Sequence, residues 1–195
     1  MNYTVFSDQE LINSFIAGNN EALEVLFLRH KDKVYSYIYI TVRNKSLAED
    51  IFQDTFIKVL NSLKEGRYNE HGKFLGWVLR IAHNLIIDHF RKVKQMSFVS
   101  DDILSGCSSH NKNHFDKNVE DAMVKEQIYS DAKRMIEFLP AEQREVVLLR
   151  IFGDLSFKEI ADMTQVSLNT ALGRMRYALI NLRKLAEKHK IILEE

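Results

Sequence analysis

The sequence predicts an all-α protein made of two small helical domains joined by a flexible linker, and three observations predict it. A single proline and seven glycines in 195 residues leave few helix breakers. No β-alternating run of useful length occurs, whereas apolar residues recur at three- and four-residue spacing over most of the chain. Between the two periodic halves the pattern dissolves into QMSFVSDDILSGCSSHNKNHFDKN, rich in Ser, Asn and Asp. The division that follows is a first domain over 1–94, an acidic linker over 95–118 and a second domain over 119–195. With 46% hydrophobic and 28% charged residues, the chain can bury a real core.

In the first half, Ser7 and Glu10 form an S-x-x-E capping box that opens a short helix to about Ala17, ended by Gly18-Asn19-Asn20. Ala22, Leu26, Phe27, Val34 and Ile38 carry a long amphipathic helix to about Val42, with Arg29, His30, Lys31 and Lys33 expected outward. Ser46 and Glu49 suggest a further capping box. Behind it lies the cleanest period in the chain, with Ala48, Ile51, Phe52, Thr55, Phe56, Val59, Leu60 and Leu63 on one helical face and Asp50, Gln53, Asp54 and Lys58 mostly on the other. Gly66 closes that helix, and the polar loop Arg67-Tyr68-Asn69-Glu70-His71-Gly72 follows. In the next helix Phe74, Trp77, Val78, Ile81, Ala82, Leu85 and Ile86 define a buried face. Lys73, Arg80, His83, Asn84, Asp88, Arg91 and Lys92 are left to face outward. Such a basic face is either simply solvated or a surface that meets phosphates and unstacked bases.

In the second half, Ile128, Met135, Ile136 and Leu139 suggest a helix ending before Pro140, which suits the first turn of the next one. There Val147, Leu148, Ile151 and Phe152 are expected inward, and Gly153-Asp154 turns the chain. Ser156 and Glu159 form another capping box ahead of a short helix that turns Ile160 and Ala161 inward. Val166 plugs a tight turn, and Ser167 is placed to cap a longer helix with Ala171, Met175, Ala178 and Leu182 as a narrow apolar stripe. Arg174, Arg176, Arg183 and Lys184 lie mostly off that stripe. A short capped helix, a tight turn and a longer basic helix read as a helix-turn-helix, with the second helix offered to the DNA major groove. The plain alternative is an antiparallel helix pair with solvated charges.

Composition narrows the classes further. The formal net charge is zero, which by itself argues against a nucleic-acid protein, but the charge is unevenly placed. Phe74–Lys94 and Ser167–Lys190 are basic, while Asp101, Asp102, Asp116, Glu120 and Asp121 cluster at and just beyond the linker. A tethered acidic segment has a high effective concentration for either basic surface, so masking of both in the free chain is one reading, and acidity for solubility alone is the other. One cysteine suits a reducing cytosol and excludes an internal disulfide framework. No signal-peptide pattern or membrane-length apolar run is present, so a cytoplasmic protein without membrane insertion is expected. Cys107, His110 and His114 have a C-x2-H-x3-H spacing, but zinc sites want a fourth ligand and no obvious one stands nearby, His71 or an Asp being the candidates that could serve. No metal and no cofactor are assigned. G-x-S-x-G, P-loop and H-E-x-x-H motifs are all missing, so the chain is not expected to be an enzyme.

Taken together the halves carry a resemblance. AEDIFQDTFIKVL (Ala48–Leu60) followed by FLGWVLRIAHNLIIDHFRK (Phe74–Lys92) resembles region two of bacterial sigma factors, which binds core polymerase and melts promoters. LPAEQREVVLLRIFGDLSFKEIADMTQVSLNTALGRMRYALINLRK (Leu139–Lys184) resembles their region four. With only a short linker between, the chain is similar to the extracytoplasmic-function (ECF) group. The resemblance implies that Asp50, Gln53, Asp54 and Lys58 dock on the β′ clamp helices of RNA polymerase core, with the β flap as a second contact. It implies that Tyr68, Asn69, His71, Lys73, Arg80, His83, Asn84 and Arg91 serve the −10 element, where an extruded base needs hydrogen-bonding groups and a stacking surface. It assigns Ser167, Asn169, Thr170, Gly173, Arg174, Arg176 and Tyr177 to the −35 element, and it implies promoter DNA and an anti-sigma factor as partners.

Two departures bear on that carry-over. Gln165 stands where the family often has Gly in the helix-turn-helix turn, and Leu172-Gly173 replaces a Lys-Ser pair common on the recognition helix. The −35 sequence preference is therefore not carried over. The other functional readings are a stand-alone helix-turn-helix regulator with a helical dimerisation or sensing domain, and a helical adaptor with no DNA role.

Overall fold

The computed structural model describes residues 6–69, 73–99 and 135–188. Among them the regular elements are α-helices: α1 (Asp8–Ile16), α2 (Asn20–Val42), α3 (Lys45–Lys64), α4 (Phe74–Val99), α5 (Ala141–Ile151), α6 (Phe157–Thr164) and α7 (Leu168–Lys188). The linker expected over 95–118 begins later than its composition suggests, because α4 continues to Val99. The remainder of that linker, with Cys107, His110 and His114, lies outside the described residues, as does the stretch 119–134.

In the first domain α2 packs against α1, α3 and α4. The Ser7–Glu10 box forms in both directions, with the Glu10 backbone N–H donating to Ser7 Oγ at 3.3 Å and the Ser7 N–H donating to the Glu10 carboxylate at 2.7 Å. The box expected at Ser46 and Glu49 does not form. Asn44, in an extended conformation, starts α3 two residues earlier by accepting from the Leu47 N–H at 3.1 Å, which leaves Glu49 to face Lys45 across one turn. On α3 the buried positions are Ala48, Ile51, Thr55, Val59 and Leu63, and the Thr55 hydroxyl is satisfied by the Ile51 carbonyl at 2.7 Å. A ring cluster of Phe27, Tyr35, Tyr39, Phe52 and Phe56 fills the α2–α3 seam.

His30 corrects the expected outward face of α2, since it is buried. Its Nε2 lies 2.8 Å from Asp8 on α1, and Arg29 takes the other oxygen of the same carboxylate at 2.7 Å. Burial pushes the Asp8 carboxyl up, but His30 and Arg29 outweigh it and hold the group below the usual carboxylate range.

In the second domain α7 packs on both α5 and α6. The sequence placed Val147, Leu148, Ile151 and Phe152 of α5 inward, but Ile151 is exposed and Val146 and Leu149 are buried instead. Four consecutive buried residues, Val146 to Leu149, cannot lie on one face of a helix. They are buried because α5 is covered on two sides, by α7 of its own domain and by α2 of the other.

The two domains meet through interlocked small residues. A Cβ built on Gly76 of α4 would sit 2.7 Å from Leu155 Cδ2, and one on Gly153 would sit 2.8 Å from Leu79 Cδ1. Each glycine thus admits a leucine from the opposite domain.

Candidate nucleic-acid interface

The helix-turn-helix is built as its motif predicts. Ser156 Oγ accepts from the Glu159 N–H at 3.3 Å, and the Glu159 carboxylate accepts from the Ser156 N–H at 2.8 Å. Gln165 ends α6 in the left-handed region at φ 55°, a conformation that a side chain disfavours by about 1 kcal/mol. Ser167 Oγ then accepts from the Thr170 N–H at 3.0 Å and lies 2.8 Å from the Thr170 hydroxyl. Its hydroxyl is therefore engaged in starting α7. Ala171 and Ala178 are buried under the helix, while Asn169, Thr170, Arg176 and Tyr177 are exposed. Arg174 is half-buried, so Arg176 is the arginine with the freer reach. Open space surrounds Gly173. Leu168, Leu172 and Leu179 are exposed on the same helix, an apolar element that a search for basic residues passes over.

The α4 face is less open than its sequence suggests. Tyr68 is half-buried, with its ring edge-to-face on Trp77 at 4.9 Å and against Phe74 at 6.0 Å. Trp77 is itself half-buried and packed on the core, as its apolar neighbours predict. Lys73 forms an ion pair with Glu159 of the second domain. That pair first, and the Ser156 hydroxyl second, hold the Glu159 carboxyl at about 2. His83, expected outward, is buried, because Glu145 of α5 comes to 3.0 Å from its Nδ1. The Tyr37 hydroxyl lies 3.3 Å from the same nitrogen. Tyr37 is fully buried, and its burial together with the Glu145 charge pushes its phenol well up. Arg80 is half-buried, whereas Asn69, Asn84 and Arg91 are exposed, with Arg91 3.8 Å from Asp88. His71 lies outside the described residues.

A third surface lies on α3. Asp50, Gln53, Asp54 and Lys58 are all exposed, the first three on the face opposite the buried stripe and Lys58 at its edge. Ile57 stands among them 56% exposed, an apolar residue on the polar side that the sequence reading did not single out. A mixed polar ridge with one apolar knob suits a protein partner.

Comparison with known proteins converges with this geometry. Residues 26–95 match the Sigma-70 region 2 family and residues 130–177 match Sigma-70 region 4. The chain is 30% identical over 172 residues to RNA polymerase sigma factor CarQ of Myxococcus xanthus, covering 88% of this chain and 92% of that one. It is 29% identical over 170 residues to ECF RNA polymerase sigma factor SigW of Bacillus subtilis, covering 86% and 90%. The same fold occurs in the sigma factor RpoE from Bartonella quintana, solved with the anti-sigma factor NepR, at TM-score 0.60 and 19% identity over 85% of this chain and 96% of that one. It recurs in CnrH, solved with the cytosolic domain of CnrY, at TM-score 0.59 and 20% identity over 94% and 99%. With both region matches in order on a chain that pairs a polar α3 ridge, a basic α4 and a helix-turn-helix, the protein belongs to the RNA polymerase sigma factors of the ECF group, which direct polymerase to promoters.

Proposed function

We propose that α3 docks this sigma factor on the β′ clamp helices of RNA polymerase core through Asp50, Gln53, Asp54 and Lys58, with region four taking the β flap as a second contact. The observation that carries this is the exposure of Asp50, Gln53 and Asp54 opposite a buried stripe, with Lys58 exposed at the edge of that stripe. Carboxylates and an amide displayed in a row recognise basic and polar partners, and Ile57 supplies apolar area at the centre.

Promoter reading is divided between the other two surfaces. Tyr68, Asn69, His71, Lys73, Arg80, His83, Asn84 and Arg91 serve the −10 element, where an aromatic face and amide groups suit an extruded base. The exposed side chains of α7 read the −35 element, with Ser167 fixing the helix end and Asn169, Thr170, Gly173, Arg174, Arg176 and Tyr177 within reach of the groove. The polymerase supplies the chemistry and this chain is not an enzyme. No described helix is long and apolar enough to cross a membrane, which fits work in the cytoplasm beside the polymerase. An anti-sigma factor is a further partner, by analogy with the complex of RpoE with the anti-sigma factor NepR. Co-purification with core polymerase is the test: stoichiometric capture supports the assignment, and none from a folded chain refutes it.

A further inference from the structure

Two exposed rows run side by side along α7. Asn169, Arg176 and Arg183 recur every seven residues. Leu172 and Leu179 stand four residues before the two arginines on the adjoining strip, with Leu168 one turn ahead of Leu172. Leu168 is 47% and Leu172 43% exposed, so neither belongs to the core that Ala171 and Ala178 join. No acidic side chain occurs between Ser167 and Lys184. A partner for this strip must therefore offer anionic groups beside apolar ones. A DNA major groove does so in one place, with phosphates along its rim and the 5-methyl groups of thymine on its floor. Leu179 lies roughly 10 Å beyond Leu172 along the helix, past the first turns that enter a groove.

Gly173, directly after Leu172, has Asn169 and Tyr177 one turn to either side. Nothing lies within 4 Å of a Cβ built on it, and its backbone is not in the left-handed region. Neither packing nor conformation asks for glycine here, although glycine weakens a helix interior. What a side chain at 173 would obstruct lies outside the chain, namely the approach of a ligand to the helix backbone.

We propose that Leu172 and Gly173 act as one device that reads thymine. The bare backbone at Gly173 lets α7 sit close to the floor of the groove, and Leu172 then buries the 5-methyl group of a thymine in the −35 element. The basic row alongside supplies the attraction to phosphate. Such a device selects a base by its methyl group, not by a hydrogen bond. It stands where this chain departs from the Lys-Ser pair, so it gives the chain a −35 preference of its own.

This inference rests on the reading of α7 as the −35 helix, and the test keeps the two apart. Holoenzyme assembled from the full chain and purified core selects from a promoter that supports run-off transcription, randomised over its −35 element. Each thymine of the selected duplex is then replaced singly by deoxyuridine, which removes one methyl group and leaves every hydrogen-bonding group in place. At one position or more, wild-type holoenzyme should bind the deoxyuridine duplex about three- to fourfold less tightly, as burial of a single methyl group implies. Leu172→Ala should bind both duplexes alike, at the weaker level, with circular dichroism as the folding control. Gly173→Ala should raise the thermal midpoint of the free chain and yet weaken binding of the thymine duplex. The proposal is overturned by a selected element that no deoxyuridine replacement weakens, or by a full methyl effect retained in Leu172→Ala. Undiminished binding or a lower midpoint with Gly173→Ala overturns it equally. A pool that returns no −35 preference defeats the reading of α7 itself, whereas a preference without a methyl effect leaves that reading standing and removes only the thymine device.

Discussion

His83 Nδ1 and the Glu145 carboxylate meet at 3.0 Å across the boundary between the two domains, and the pair is enclosed enough to bury the imidazole. A carboxylate only accepts, so Nδ1 carries the proton in this bond. The tautomer is thus set by a residue 62 positions away in sequence, on a different domain. That single contact turns a residue suited to meeting a base into one held by protein.

The α3 ridge predicts a separation of fold from function. Asp54→Arg changes an exposed residue, so the helical circular dichroism spectrum and thermal midpoint should be unchanged. Core binding should weaken by about ten- to a hundredfold, roughly 1.4–2.8 kcal/mol. A quantitative pull-down measures it, and normal affinity in the folded variant would remove α3 from the polymerase interface.

Arg176→Ala and Arg174→Ala should differ because their exposure differs. Loss of a bidentate base contact costs about 1–3 kcal/mol and relaxes preference at one position, whereas loss of a phosphate contact weakens all sequences alike. Arg176→Ala is expected to give the larger loss on a panel of −35 duplexes. Unchanged binding by both variants would take α7 out of the groove.

Glu159 gives a pH dependence with a definite sign. Its carboxyl falls from an ordinary value of 4.5 to about 2, with the Lys73 bond as the leading cause. A depressed folded value means that the stabilisation is present above about pH 4.5 and is lost as pH falls towards about 2. Glu159 is half-buried but its partner Lys73 is well exposed, so screening limits the effect to about 1 kcal/mol. Denaturant unfolding of wild type and Glu159→Gln should differ by about that much near neutral pH, with the gap closing on acidification. A gap that widens in acid contradicts this assignment.

Gln165 ends α6 at φ 55° with no glycine to relieve it. Gln165→Gly should therefore raise stability by up to about 1 kcal/mol, less the entropy that glycine adds to the unfolded chain. Thermal unfolding checks this, and a lower midpoint would mean that the Gln side chain makes contacts worth more than the strain.

What the sequence disclosed was what neighbouring residues determine. The α3 period, the boxes at Ser7–Glu10 and Ser156–Glu159, and the turn at Gln165 depend on residues a few positions apart, and each is found in the structure. The Ser46–Glu49 box failed because Asn44 offered an equally good cap two residues earlier. His30 and His83 were misplaced outward because their partners, Asp8 and Glu145, lie on other helices. The run Val146–Leu149 did carry a signal of two-sided burial, since no amphipathic helix places four successive apolar residues on one face. The ridge of Asp50, Gln53 and Asp54 was legible as an exposed face; the same period places Ile57 opposite the apolar stripe, but a reading that looked for polar groups on that side passed over it.

Run-off transcription with purified core polymerase on a pool of genomic fragments tests the central claim most directly. The account predicts discrete transcripts that require this chain and that disappear with Asp54→Arg. No chain-dependent transcript from folded protein and active core, or an undiminished set with the folded Asp54→Arg variant, would contradict it.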